Sequence, residues 1–211
     1  AAEPRKNIIL ILADDLGWAD TTLYGKTSLY ETPNIERLAA RGMTFSNAYA
    51  ASPICSPTRA SIISGQNPAR HGMTAPAGHL PDVRFKPIAN TSGPPHQKSA
   101  NVRSATRLDP SIPTLAQLLK NAGYATAHFG KWHLGSAPQF GPNHFGFDRA
   151  YGSLAGGVDP YNHFYKRGEH SVTWHSDGTL MEEQGHVTDL IARQAVEWIE
   201  SRKGPWFCYV A

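Results

Sequence analysis

Two carboxylates, Asp14 and Asp15, close the apolar run "NIILILADD". A cysteine, Cys55, stands just ahead of "SPTRASIISG", with Arg59 four positions on, and Lys131 and His133 flank a tryptophan in "GKWHLG". Adjacent carboxylates repel unless something positive compensates them. Oxygen donors with no Cys/His cluster suit Ca²⁺ or Mg²⁺ better than zinc; a turn or helix cap is the equal alternative for "DDLG". Lysine neutralises anionic oxygens and histidine moves protons near neutral pH, although such a pair also serves as a basic strand end facing water. A helix N-terminus and Arg59 would both favour a Cys55 thiolate. A disulfide to Cys208, the second of two cysteines, is equally compatible with the sequence. No cysteine-protease pattern of His and Asn accompanies Cys55.

Strands and helices must bring these groups together. The run at 6–15 is apolar on both faces and reads as a buried, parallel, central strand. "TPNIERLAARG" reads as a helix capped by Thr32 with Pro33 in its first turn, and "MTFSNAYA" as a short strand. "SPTRASIISG" is a short helix ending at Gly65. Thr114 caps a helix that turns Leu115, Leu118 and Leu119 inward, and residues 124–129 form the strand that delivers Lys131 and His133. At strand spacing those two side chains share one face. "HVTDLIARQAVEWIESRKG" has helical periodicity and leads into the strand "PWFCYVA". Strands alternating with helices predict a mostly parallel sheet covered on both faces, whose sites form beyond the carboxyl ends of the strands.

Composition bounds the rest. A chain of 211 residues, 40% hydrophobic, can bury a core, and its 16 Pro and 19 Gly imply many ordered loops. A net charge of +3 without a Lys/Arg stripe argues against a nucleic-acid partner, and no run reaches the length of a membrane span. Residues 74–112 form a polar excursion rich in Pro, Gly, Ser and Asn, functional or simply solvated. Tyr151, Tyr161, Phe164 and Tyr165 are either sugar-stacking groups or, the better reading, loop aromatics packed on the core.

Cys55-Ser56-Pro57-Thr58-Arg59 resembles the C-x-P-[S/A]-R signature of the type I sulfatases, and "ASIISGQNPARHG" continues the match. So do "NIILILADDLGWAD", "PTLAQLLKNAGYATAHFGKWHLG" and "FGFDRAYGSLAGGVDPYNH", the last most similar to the arylsulfatase B-like branch. The resemblance implies an α/β, alkaline-phosphatase-like sandwich with a mostly parallel central sheet flanked by helices, apparently truncated. Residues 1–211 would be the N-terminal part of the catalytic domain, with 74–112 a long loop insertion. A later catalytic segment and a C-terminal subdomain would lie outside the chain. So would the family's Asp-Asn metal ligands and its distal His and Lys, since "SDG" at 176–178 reads as a turn. None of His163, His170, His175 or His186 matches the distal histidine. An incomplete metal site and an exposed sheet edge are expected.

The same resemblance implies a role for each residue. Cys55 is the precursor of formylglycine, whose hydrate attacks sulfur with one hydroxyl and expels sulfate with the other. Asp14, Asp15 and the modified Cys55 hold a divalent cation, Ca²⁺ ahead of Mg²⁺. Arg59 steadies the hydrate, Lys131 contacts hydrate and sulfate, and His133 deprotonates the hydrate. Thr58 stands where Ser or Ala is commoner. The implied activity is hydrolysis of sulfate esters on a sulfated carbohydrate. A formylglycine-generating or sulfatase-maturating enzyme would be a partner, and the location periplasmic, secreted or lysosomal, with no signal peptide in this chain. A phosphomonoesterase or phosphodiesterase of the same fold, and a non-catalytic sulfated-glycan-binding fragment, are the alternatives.

Overall fold

The computed structural model describes residues 4–76, 81, 83–100, 102–168 and 170–211. Along the chain run β1 (Ile8–Ile11), α1 (Pro33–Ala39), α2 (Cys55–Ser64) and α3 (Pro68–His71). A small hairpin, β2 (Ile88–Ala89) and β3 (Val102–Arg103), precedes α4 (Leu115–Asn121), β4 (Ala125–Lys131) and β5 (Arg149–Ser153). Then come β6 (Trp174–Ser176), β7 (Thr179–Leu180), α5 (Val187–Glu200) and β8 (Trp206–Val210).

The main sheet has the order β1-β8-β4-β5-β6-β7. The pairs from β1 to β5 are parallel, and β6 and β7 join antiparallel. Helix α5 covers one face, where Leu190 and Ala195 pack against Ala127, Phe129 and Cys208. On the other face Ala60 and Ile63 of α2 and Ala116 of α4 pack with Trp132, Leu134, Phe207 and Tyr209. Two cores on a mostly parallel sheet are what alternating strands and helices require, because each helix must bury its apolar stripe on a sheet face.

Local chemistry sets the ends of these elements. Thr114 Oγ1 accepts the Gln117 amide at 3.2 Å and Gln117 Oε1 accepts the Thr114 amide at 3.1 Å, a capping box that starts α4. His186 caps α5 through Nδ1, which accepts the Thr188 amide, and Gly65 closes α2 in the left-handed conformation. Asp177 and Gly178, both at positive φ, make the turn between β6 and β7, as "SDG" predicts.

Where β4 and β5 run out, Gly130 (φ +114) lies beside Gly152 (φ +130). A Cβ on Gly130 would collide with the Ala211 carbonyl, and one on Gly152 with the Gly130 backbone. That same Ala211 carbonyl accepts the Lys131 amide at 2.9 Å.

Several expectations are corrected. β1 is an edge strand here rather than a buried central one: it pairs with β8 alone, and Ile11 is 64% exposed. Residues 43–50 form no strand. On α4, Leu115 and Leu119 pack against the core as expected, but Leu118 is 61% exposed and Ala116 is the buried residue. The fourth strand runs two residues further, to Lys131. Thr32 makes no side-chain cap; its hydroxyl bonds Thr22 instead. Both cysteines are free, with Cys208 buried mid-strand and Cys55 at a cleft, so the disulfide does not form. Burial pushes the Cys208 thiol up to about 12.

The 74–112 excursion is partly structured. It holds the β2–β3 hairpin and returns through the buried residues 104–106 and Leu108, while 77–80, 82 and 101 fall outside the described residues. Tyr151 packs in the core against Trp174, and Tyr161 remains exposed. Residues 1–3 are likewise outside the description.

Candidate active site

Three segments converge at the carboxyl ends of β1 and β4. The loop after β1 carries Asp14 and Asp15. The first turn of α2 carries Cys55 and, one turn on, Arg59. The last residue of β4 is Lys131.

Carboxylate oxygens of Asp14 and Asp15 and the Cys55 Sγ all lie within 4.8 Å of one another. The Cys55 thiol donates to Asp15 Oδ2 at 3.3 Å. Asp14 is gripped from two sides: Arg59 Nη2 donates to Oδ1 at 2.9 Å and Lys131 Nζ to Oδ2 at 2.6 Å. Arg59 also donates to the Lys131 backbone carbonyl, so one guanidinium ties the β1 loop to the end of β4. Only 1% of Arg59 is exposed, and it needs that anionic partner. Partial burial opposes ionisation of Asp14. The hydrogen bonds and charges of Lys131 and Arg59 outweigh it, holding the carboxyl below its ordinary range.

Cys55 opens α2, with Ile54 at the N-cap in extended conformation. Thr58 Oγ1 donates to the Ser52 carbonyl at 2.6 Å and closes the loop that presents the cysteine. The departure at Thr58 thus has a local job. Further along, Ser61 Oγ meets His71 Nε2 at 3.1 Å while His71 Nδ1 accepts the Met73 amide, locking α2 to the α3 turn. Burial keeps His71 below its ordinary pKa. Sequence reasoning named neither contact; the signal was the matching stretch 60–72, read only as resemblance. The cleft beside Cys55, about 330 Å³, is lined by residues 12–17, by 50 and 52–55, and by Thr58 and Arg59.

His133 is placed differently from the expectation. The strand ends at Lys131, and His133 adopts φ +57, so it does not share a strand face with Lys131. Its buried ring sits against Gly156, where a Cβ would strike the imidazole, and is not part of the cleft lining. Sequence-predicted Asp14, Asp15, Cys55, Arg59 and Lys131 are therefore joined in one cluster, Arg59 and Lys131 through Asp14 and Cys55 through Asp15, while His133 lies just past Lys131, beyond the end of the strand. His163 stacks on Trp174 and bonds the Gly185 carbonyl, which accounts for it structurally.

The sulfatase family profile matches residues 6–211, nearly the whole chain and every residue of this cluster. The chain belongs to the sulfatase family. It is 36% identical over 220 residues to the N-acetylgalactosamine-6-sulfatase of Sus scrofa, covering 97% of this chain and 38% of that protein. To the steryl-sulfatase of Homo sapiens it is 40% identical over 157 residues, 72% of this chain and 24% of the relative. Among solved structures, Ps i-CgsB superposes with a TM-score of 0.76 at 31% identity, over 97% of this chain and 44% of that one. A structure of BT4656 with its substrate D-glucosamine-2-N,6-O-disulfate gives 0.70 at 29% identity, over 98% and 33%. These neighbours make the fold of this sulfatase chain alkaline-phosphatase-like, and it spans less than half the length of the relatives and structures just named.

Proposed function

We propose that this sulfatase chain carries the nucleophile-bearing part of an active site that hydrolyses sulfate esters of a carbohydrate, using a formylglycine made from Cys55. The convergence of Asp14, Asp15 and Cys55 within 4.8 Å at the first turn of α2 supports this reading most directly.

The donor set suits a hard divalent cation, Ca²⁺ before Mg²⁺. Two carboxylates face one point, and one oxygen of Asp14 already attracts the Lys131 ammonium. Asp14, Asp15 and the oxygen on residue 55 would hold it, and when bound it supplies charge that polarises a sulfate oxygen. The hydrated aldehyde supplies two hydroxyls on one carbon, one for attack on sulfur and one for release of sulfate.

The chain's own residues do the positioning. The planar fork of Arg59 fixes Asp14 relative to β4. Lys131, at 2.6 Å from Asp14, brings a mobile positive charge to the oxygens of the bound ester. The N-terminal amides of α2 face the same anion. His133 receives a proton from the hydroxyl that expels sulfate, a role assigned from the resemblance, with Gly156 fixing the ring at the carboxyl end of β4.

A sulfated carbohydrate is supported by relatives whose names or ligands are sugar sulfates. The same family standing supports maturation by a formylglycine-generating or sulfatase-maturating enzyme and an exported location, whether periplasm, secretion or lysosome. Among the described residues no helix is long and apolar enough to cross a membrane.

The decisive experiment is peptide mass analysis of the protein from its native host. Trypsin cuts after Arg41 and Arg59, isolating Cys55 in one peptide. The expected mass shows the thiol replaced by an aldehyde or its hydrate, accompanied by turnover of a sugar sulfate above matched steryl sulfate and aryl phosphate. An alkylatable thiol in active protein would sink the proposal.

A further inference from the structure

The excursion between α3 and α4 has a charge the catalytic cluster does not use. Residues 83–108 contain five Lys and Arg and no Asp or Glu, in a chain whose total net charge is +3, so the remainder is net −2. Four of these cations gather on the β2–β3 hairpin and its base. Arg103 lies over the Phe85 ring, 5.5 Å from its centroid, and its Nε donates to the Lys86 carbonyl at 3.2 Å. The Phe85 amide donates to Thr106 Oγ1, which donates to the Val83 carbonyl; the two chains thus stay together below the hairpin, with Arg84 and Arg107 brought close.

Like charges facing each other across paired strands are unfavourable. Burial first and the Arg84 charge second hold Arg107 below its ordinary pKa. Among the described residues one carboxylate, Asp109, reaches Arg84, at 3.6 Å, with both side chains about half exposed. Such an exposed pair does little to neutralise the group.

The cluster is also tied to the segment that follows β4. Arg107 stacks on Phe140 at 3.6 Å from the ring centroid. The Phe140 carbonyl accepts the indole N–H of Trp132, the residue between Lys131 and His133, at 2.8 Å. The Leu108 amide donates to the Leu134 carbonyl at 2.9 Å, so the excursion is pinned to the line of β4 just past Lys131. Phe85, about half exposed, offers an apolar face edged by cations. That combination matches a sulfated sugar, whose ring presents an apolar face and whose substituents are anionic.

We propose that Arg84, Lys86, Arg103 and Arg107, with Phe85, form a binding surface for the anionic carbohydrate chain that continues beyond the sulfate group held at Cys55. The proposal rests on the sulfated-carbohydrate reading above, but binding can be measured without turnover.

The test uses the full-length protein with its Cys55 thiol unmodified and a fluorescently labelled sulfated hexasaccharide, followed by anisotropy at several salt concentrations. Arg84→Gln/Arg103→Gln is expected to bind about tenfold more weakly, with a shallower dependence of affinity on salt, and Arg84→Lys/Arg103→Lys to retain most of the affinity. Arg202→Gln/Lys203→Gln, distant in the chain and equal in charge lost, is expected to bind as the parent does. Should the glutamine pair fail to fold, the exposed Lys86→Gln alone is expected to lose two- to threefold. Unchanged affinity in the folded hairpin variants, an equal loss in the distant control, or equally tight binding of the unsulfated hexasaccharide would each overturn the proposal. So would equally tight binding of duplex DNA of matching charge, which would mark the surface as a generic polyanion or nucleic-acid site.

Discussion

The two sides of this sheet treat similar residues in opposite ways. Around β4, β5 and β8, aromatic and aliphatic side chains are sealed on both faces, and Phe129, Phe207 and Cys208 are fully buried. Along β1, α1 and the stretch to residue 50, an equally apolar sequence stays open: Ile11, Leu38, Met43 and Phe45 are mostly exposed, and Tyr49 is 90% exposed. Apolar patterning says what a segment needs to bury, whereas burial itself depends on what packs against it. The candidate active site straddles this divide. Asp14 and Asp15 come from the open side, Arg59 and Lys131 from the sealed side, and one salt-bridged carboxylate joins them.

The largest effect expected from breaking this arrangement is chemical. Cys55→Ala in the matured full-length enzyme should lower kcat for sulfate ester hydrolysis by roughly 10⁴-fold or more, measured by sulfate release, while thermal unfolding stays near the parent's. Packing should separate the two sides next. Phe129→Ala, in the sealed core, should cost about 3–5 kcal/mol in urea unfolding, against under about 1 kcal/mol for Ile11→Ala on the open edge. Equal costs would mean that β1 is covered in solution.

The carboxylates sharpen the comparison further. Asp14→Asn strands the buried Arg59 charge and should destabilise by about 2 kcal/mol, less than a fully buried pair because Asp14 is 42% exposed. Asp15→Asn, which loses one thiol contact, should leave stability within about 0.5 kcal/mol. Both should lower kcat by about 10²–10³-fold.

A slower-varying effect comes from the sealed side. Burial first, then the nearby Arg149 charge against the opposing pull of Asp177, holds His175 at about 4. His128 is pushed well below its usual value, chiefly by burial. As pH falls through 6.5 the unfolded chain binds protons that the folded chain refuses, so stability declines from pH 6.5 toward pH 4. His175 alone accounts for up to about 3 kcal/mol at the low end, and His175→Gln should flatten the urea-midpoint profile across that window.

Much of this was legible in the residues. The alternation of strands and helices gave the layers, "SPTRASIISG" gave α2, and the capping pattern at Thr114 gave α4. The candidate site residues stood out by their types at strand and helix ends, and it was the resemblance that singled out a role for each. What remained hidden was relational. An apolar run on both faces is compatible with a central strand, but pairing on the β1 edge is decided by distant chain. Spacing along "GKWHLG" suggested a shared face for Lys131 and His133, and the positive φ at His133 broke it. Leu118 fitted helical periodicity, yet the smaller Ala116 faces the crowded sheet.

The paired glycines at the ends of β4 and β5 set a tolerance for everything mounted beyond them. A methyl group at position 130 would have to displace the Ala211 carbonyl, and that carbonyl is the anchor of the Lys131 amide. The disturbance would thus reach the residue whose ammonium meets Asp14. A side chain at position 130 would therefore strain the backbone and shift the end of the strand that carries Lys131 in one stroke, so the same glycine serves both the sheet and the cluster mounted on it.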